Sequence, residues 1–203
     1  MPSSHAEPTA LPEAIRRTFD RPDAFAGVPT RREVEALGAR PAAVLLPVLL
    51  AGPEPRLVFT KRTEHLSRHP GEISFPGGLA DDDEDLADTA LREAEEELGL
   101  APADVELLGA LPPVHTHVSG ILVVPFVGIL GRDPAFTPNA GEIAEVLEFP
   151  VARLAAVRET RWLEHDGSRF PTPVYELDGH VIWGATGRIL GSFFEALAER
   201  GGG

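Results

Sequence analysis

Residues 78–100 read Gly78-Leu79-Ala80-Asp81-Asp82-Asp83-Glu84-Asp85-Leu86-Ala87-Asp88-Thr89-Ala90-Leu91-Arg92-Glu93-Ala94-Glu95-Glu96-Glu97-Leu98-Gly99-Leu100. Between Asp81 and Glu97 ten acids stand against one base, Arg92, a net −9 in a chain whose total is −14. A general need for solubility would spread acids evenly, so this concentration needs its own cause. The spacing predicts a helix over Asp88–Leu98. On a wheel of about 100° per residue centred on Leu91, Ala87, Ala94 and Leu98 fall within about 60° and form an apolar stripe. Glu93, Glu96 and Glu97 gather on the opposite face.

That helix is poorly built to stand alone. Glu93 and Glu97 are a like-charge i,i+4 pair, unfavourable by about 0.2–0.5 kcal/mol. Glu96 and Glu97 occupy the last turn before Gly99, a natural C′ residue, where the helix dipole disfavours anions by about 0.3–1 kcal/mol. Lys or Gln would serve a solvated face better. Carboxylates gathered against the dipole suit a hard divalent cation, Mg²⁺ or Mn²⁺, bound through oxygen. With no cysteine in the chain, thiolate sites and disulfides are excluded. By themselves the residues leave two readings open, a cation site and a solvated acidic face.

Gly78, five residues, Glu84, seven residues, then Arg92-Glu93-Ala94-Glu95-Glu96-Glu97-Leu98-Gly99-Leu100 resembles the signature of the Nudix hydrolases, with Ala94 where a bulkier aliphatic residue is usual. The resemblance implies an α/β/α sandwich around a mixed sheet and hydrolysis of a diphosphate linked to another moiety. It implies that Glu93 and Glu97 hold the metal, assisted by Glu96 and by a backbone carbonyl at Gly77-Gly78. Arg92 and Glu84 would orient the carboxylates. Asp81, Asp82, Asp83 and Asp85 read as solvated loop acids.

The stretch from Thr60 through Lys61, Arg62, Thr63, Arg68, His69, Gly71 and Phe75 to Pro76-Gly77-Gly78 is similar to the additional motif of coenzyme A diphosphatases. It departs at Val58-Phe59, at Thr63, and in carrying its second arginine at Arg68 rather than at the position of Ser67. Leu108-Gly109, Ser119-Gly120, Val123, Pro125, Asn139 with Glu142, and Ile182-Trp183-Gly184-Ala185-Thr186 also look like that subfamily. The resemblance implies a small-molecule substrate like coenzyme A, contacted by Arg62, Arg68, His69 and Phe75, with Glu142 as a general base or further metal ligand. Another nucleoside diphosphate derivative is the alternative within hydrolases. An isomerase branch of the same fold relies on a cysteine, which is absent here. A nucleotide-sensing relative would be expected to lose the box carboxylates, which are all present.

The chain of 203 residues, with 43% apolar and 25% charged residues, has ordinary globular usage. Its acidity argues against nucleic-acid backbones as partners. Val44–Ala51 and Ile121–Leu130 are too short to span a bilayer, and a cytoplasmic setting is the default expectation. The resemblance allows a homodimer, for which no seam is legible. Residues 1–10 read as a frayed N-terminus, 11–200 as a single domain and 201–203 as a tail.

Leu11, Ile15 and Phe19 mark a short helix. Strands are expected at Ala42–Leu50, Arg56–Arg62, Val105–Leu111, Gly120–Leu130, Glu145–Phe149, Arg161–Glu164 and Thr172–Leu177, with Gly120–Leu130 buried on both faces; a polar loop after Arg62 leads through Glu72–Phe75 into Pro76-Gly77-Gly78. A helix is expected over Val151–Val157. Ile189, Leu190, Phe193, Phe194 and Leu197 form a helical core stripe, and Trp183 is expected to pack just before it. His115 and His117 read as structural or exposed, since no third zinc ligand is in view.

Overall fold

The computed structural model describes residues 10–65, 70–116, 120–165 and 168–200. Its elements run α1 (Ala10–Phe19), α2 (Arg31–Ala36), β1 (Arg40–Leu49), β2 (Arg56–Arg62), β3 (Ile73–Ser74), β4 (Gly77–Leu79), α3 (Leu86–Leu98), β5 (Glu106–Ala110), β6 (Val114–Thr116), β7 (Ile121–Leu130), β8 (Ile143–Pro150), α4 (Val151–Ala156), β9 (Arg158–His165), β10 (Ser168–Leu177), β11 (His180–Ile182) and α5 (Gly184–Arg200).

β7 is the apolar run that the sequence marks as doubly buried, and β1 proves to be buried along nearly all its length too. They lie side by side in parallel from Arg40↔Ile121 to Leu49↔Leu130, while every other pairing is antiparallel, so the main sheet is mixed. Alternation along β1 feeds two cores. Ala42, Leu46 and Val48 face a core closed by α1 and α5, with Ile15, Phe19, Ile189, Leu190 and Phe193. Ala43, Leu45 and Leu49 face a second core with Ala90, Ala94 and Leu98 of α3. Helices therefore cover both faces of the sheet, an α/β/α arrangement. A second, three-stranded sheet in the order β11-β10-β9 packs against α5.

The sheet splays where the acidic helix docks. β2 pairs with β1 only at Val48↔Leu57 and Leu49↔Arg56, and β4 takes its place against Ala42, Ala43 and Val44. The open ends of β2 and β8, at Arg62 and Ile143, thus lie beside the Gly77-Gly78 turn.

Several expectations need correction. α3 begins at Leu86, two residues before the expected start, and its buried side holds Leu86, Thr89, Ala90, Ala94, Glu97 and Leu98, while Leu91 is only half-buried. The stripe centred on Leu91 is therefore rotated: small Ala90 and Ala94 make the close contact with the sheet, and Glu97 turns inward with them. α2 falls in what the sequence reads as a connection, although Thr30 and Glu33 form a capping box there. β6 and β11, three residues each, carry too little periodicity to be read.

Trp183 is 48% exposed, because it sits at the turn into α5 rather than on its buried stripe. Phe75 is 2% exposed and stacks on Phe59 with ring centroids 4.5 Å apart, so it is a core residue rather than a substrate contact. Replacing it should therefore cost stability and not affinity. Phe75→Leu is expected to lower the unfolding free energy by about 1–2 kcal/mol in urea denaturation, with KM unchanged for whichever diphosphate is cleaved; a raised KM at unchanged stability would return the ring to the substrate site.

Candidate active site

The site is built on a backbone approach that only glycine permits. A Cβ on Gly77 would stand 2.3 Å from the Ala43 carbonyl oxygen and 2.6 Å from Val44 Cα, both on β1. One on Gly78 would stand 2.5 Å from the Glu93 carboxyl carbon. The glycine pair is held between the sheet and the acidic side of α3, and the space that its missing side chains leave is taken by carboxylate.

Glu97 is the deepest of these acids, at 5% exposure. The Gly77 amide hydrogen-bonds to its carboxylate, yet Oε2 is buried with no hydrogen-bond partner. Burial, reinforced by the negative charge of Glu93, pushes the Glu97 carboxyl up to about 8, against the opposing pull of the Gly77 amide and Arg62. Glu93 is shifted upward too, chiefly by burial, with Arg92 pulling the other way and Glu96 and Glu142 adding repulsion.

Arg92 is fixed by a fan of acceptors. Its Nε donates to Glu84 Oε1 at 2.9 Å, and Nη2 donates to Glu84 Oε2 and the Leu79 carbonyl, both at 3.2 Å. Nη1 donates to Glu93 Oε1 at 2.9 Å and to Glu96 Oε2 at 3.2 Å. Glu84 is held in turn by the Thr89 hydroxyl at 2.7 Å and the Asp81 amide at 3.1 Å, and the Arg92 bonds keep its carboxyl below the usual range. None of these guanidinium bonds goes to Glu97.

A second loop is hung on the end of the same helix. The Thr137 amide donates to the Leu98 carbonyl at 2.8 Å and the Asn139 amide to the Glu97 carbonyl at 2.9 Å, satisfying last-turn acceptors that α3 would otherwise leave open. Gly99 lies in the left-handed region at φ 67°, against the Thr137 hydroxyl. The Asn139 carbonyl then accepts from Glu142 and Ile143, and the Glu142 carbonyl accepts from the Thr63 amide at 2.9 Å. This puts the exposed Glu142 where its charge acts on both Glu93 and Glu97, while Arg62, at the end of β2, acts on Glu97.

The structure thus brings together Glu84, Arg92, Glu93, Glu96, Glu97, Gly77, Arg62 and Glu142. It separates Phe75 from them, and Arg68 and His69 lie outside the described residues. Asp81, Asp82, Asp83 and Asp85 are exposed, as loop acids should be, and Asp82 pairs with Arg31 at 2.8 Å. His115 is exposed on β6, and His117 lies outside the described residues. Sequence reasoning missed Thr89, fully buried in mid-helix. Its signal was a hydroxyl residue of modest helix propensity on the inward side of an otherwise apolar run.

The donor set fits a divalent cation. An orphaned carboxylate oxygen, buried beside a second carboxylate, is an arrangement that a bound cation would complete. Among the described residues no three acidic or histidine side chains already form a ligand cluster. Magnesium needs no such cage: it takes one or two carboxylates and completes its shell with water and substrate phosphate.

Residues 39–168 match the NUDIX domain. An uncharacterized Nudix hydrolase, NudL, of Pectobacterium atrosepticum is 37% identical over 166 residues, which cover 79% of this chain and 84% of the relative. NudL of Escherichia coli O7:K1, also uncharacterized, is 40% identical over 151 residues, 73% of each chain. The chain belongs to the Nudix hydrolase family. Among solved structures, a MutT/nudix family protein from Enterococcus faecalis superposes with a TM-score of 0.53 at 15% identity, covering 79% of this chain and 62% of its own. A MutT protein from Methanosarcina mazei Go1 gives 0.52 at 16% identity, covering 81% and 96%. At such identities the likeness is one of fold.

As a Nudix hydrolase the protein acts on the pyrophosphate bond of nucleoside diphosphate derivatives, and enzymes of this family generally use divalent metal ions such as Mg²⁺ or Mn²⁺. The raised Glu97 carboxyl gives the metal-free Nudix hydrolase a pH signature. The folded state holds this proton up to about 8 and the unfolded chain releases it near 4.5. The contribution is therefore complete below 4.5 and lost as pH rises through 8. Urea denaturation in EDTA should show stability falling across that window, flattened in Glu97→Gln. Mn²⁺ should raise the wild-type midpoint at pH 8. A wild-type profile matching that of Glu97→Gln would refute the buried acid.

Proposed function

We propose that this Nudix hydrolase cuts the diphosphate of coenzyme A or its acyl thioesters, using Mg²⁺ or Mn²⁺, to 3′,5′-ADP and 4′-phosphopantetheine or its acyl derivative. The observation that carries the substrate reading is the course of residues 60–78. This stretch, similar to the additional motif of coenzyme A diphosphatases, leaves the site at Arg62 and returns to it at Gly77-Gly78. The Arg62 amide donates to the Glu72 carbonyl at 3.0 Å, closing the segment at its base beside Glu142. On this reading Arg62 at the base of the segment contacts the substrate; Arg68 and His69, expected to do the same, lie outside the described residues.

The roles follow from charge and position. Glu93 and Glu97 are the metal-holding pair, with Glu96 and a Gly77-Gly78 carbonyl as supplementary donors. When bound, the cation neutralises phosphate oxygens and makes a coordinated water a stronger nucleophile at neutral pH. Glu84 fixes Arg92, and Arg92 fixes Glu93 and Glu96, so the carboxylates keep their orientation when a polyanion arrives. Arg62 faces the phosphates beside Glu97. Glu142, exposed and within electrostatic reach of both ligand acids, is the candidate to accept the proton of the attacking water or to serve as a further ligand. Water adds to phosphorus, the bridging P–O bond breaks, and the second phosphate leaves as the anion.

The test is product identification by mass spectrometry after incubation with coenzyme A and Mg²⁺. Expected are 3′,5′-ADP and 4′-phosphopantetheine, formed faster than ADP-ribose is cleaved; the reverse order would overturn the coenzyme A reading and leave the metal chemistry standing. Glu97→Gln should fold normally and lose turnover by orders of magnitude. Wild-type turnover in that variant would overturn the metal assignment.

A further inference from the structure

On the other side of the sheet, α5 does not close fully against β6 and β10. A cleft of about 340 Å³ remains between Pro113, His115, Pro173, Arg188, Ser192 and Glu195, within the size range of small-molecule sites. Its walls mix Pro113, Val114 and Pro173 with the polar His115, Arg188, Ser192 and Glu195, and Arg188 and Ser192 lie one turn apart on the same helix face.

Arg188 is half-buried, and among the described residues no carboxylate stands within ion-pair distance of it; the hydrogen bond it shows runs from Nη2 to the His115 carbonyl at 2.9 Å. Arg16, Arg31, Arg56, Arg92, Arg153, Arg158 and Arg161 each hold an acid, whereas Arg188, unlike them, is half-buried with a backbone carbonyl as its acceptor. The one carboxylate lining the cleft, Glu195, is engaged by Arg158 at 2.6 Å. In a chain of net charge −14 the cleft therefore carries an unmatched positive charge. Burial alone depresses the Arg188 guanidinium, with no acid to offset it. A planar fork, half-buried in this cleft and without a carboxylate partner among the described residues, is matched by the oxygens of a phosphate.

We propose that Arg188 and Ser192 form a second anion site, which takes a phosphomonoester group of a small molecule. It stands independently of the substrate assigned to the Glu93–Glu97 site. Two sources share this chemistry, a phosphate at the far end of the hydrolysed substrate and a separate phosphorylated ligand. Val114 pairs with Val123, Val123 with Ala42 and Ala42 with Leu79, so β6 lies three strand spacings, about 14 Å, from the strand bearing Gly78. The cleft and the acidic helix lie on opposite faces of the sheet, so a substrate that reaches both must bend round its edge.

Inorganic phosphate titrated into the metal-free enzyme in EDTA, followed by amide NMR, decides the matter. Saturable shifts at Val114, His115, Arg188 and Ser192 are expected, with binding at least tenfold weaker in both Arg188→Gln and Ser192→Asp. Undiminished binding in both folded variants, or shifts confined to other surfaces, would overturn the site. Kinetics then names the source. A KM increase in Arg188→Gln for coenzyme A but not for 3′-dephospho-coenzyme A supports the substrate's own phosphate. A phosphate-dependent change in ADP-ribose hydrolysis, lost in Arg188→Gln, supports a separate ligand. If coenzyme A is not cleaved at all, the phosphate titration still stands as the test of this site.

Discussion

A buried carboxylate with one oxygen bonded to nothing is the constraint around which this molecule is arranged. Isolating an ionised acid from water costs several kcal/mol unless a partner repays it. The arginine of the same helix, Arg92, is five residues from Glu97 and so about 140° round the helix from it. It is taken up by Glu84, Glu93, Glu96 and the Leu79 carbonyl. Its charge steadies the rim acids and leaves the deepest acid uncompensated. The protein alone answers that imbalance by holding a proton on Glu97; a divalent cation answers it by replacing the proton. One group thus links the protein's stability, its metal affinity and its chemistry.

The same economy governs the loop that carries Glu142. A helix ending in Glu96-Glu97-Leu98 leaves carbonyls open where the dipole is most negative. The amides of Thr137 and Asn139 close them, and the turn that Asn139 begins delivers Glu142 to the site. Capping and placement are accomplished by one set of hydrogen bonds. A change at Asn139 would therefore be felt both in the last turn of α3 and in the position of Glu142, although Asn139 is an exposed loop residue.

These relations explain what the sequence could disclose. Helical spacing placed Glu93, Glu96 and Glu97 on one face, whereas Glu84 and Arg92 were legible only through the resemblance to the Nudix signature. The apolar run of β7 was plain because the strand is buried on two sides. The inward turn of Glu97 was hidden: a wheel weighted by side-chain size follows Leu91, whereas the helix docks on Ala90 and Ala94, where small side chains let backbones approach. Phe75 misled for a related reason. Its place in a recognition motif is shared with its place in the core, and only packing against Phe59 separates the two. Thr89 and Asn139 act through a few local hydrogen bonds, which leave no periodic trace.

Charge distribution supplies the last constraint. The substrates of this family are polyanions, yet the chain carries −14, most of it around α3. At physiological ionic strength such fields decay over about 8 Å, so remote acids matter little and local ones decide. A bare diphosphate nearing Glu93, Glu97 and Glu142 would be repelled. On the proposed reading the same acids would hold a divalent cation, which would offset that repulsion. Acidity that appears ill suited to an anionic substrate thus acts as a filter: the site is closed to the anion until the metal is present, and the phosphates are then drawn to the place where their bond can be cut.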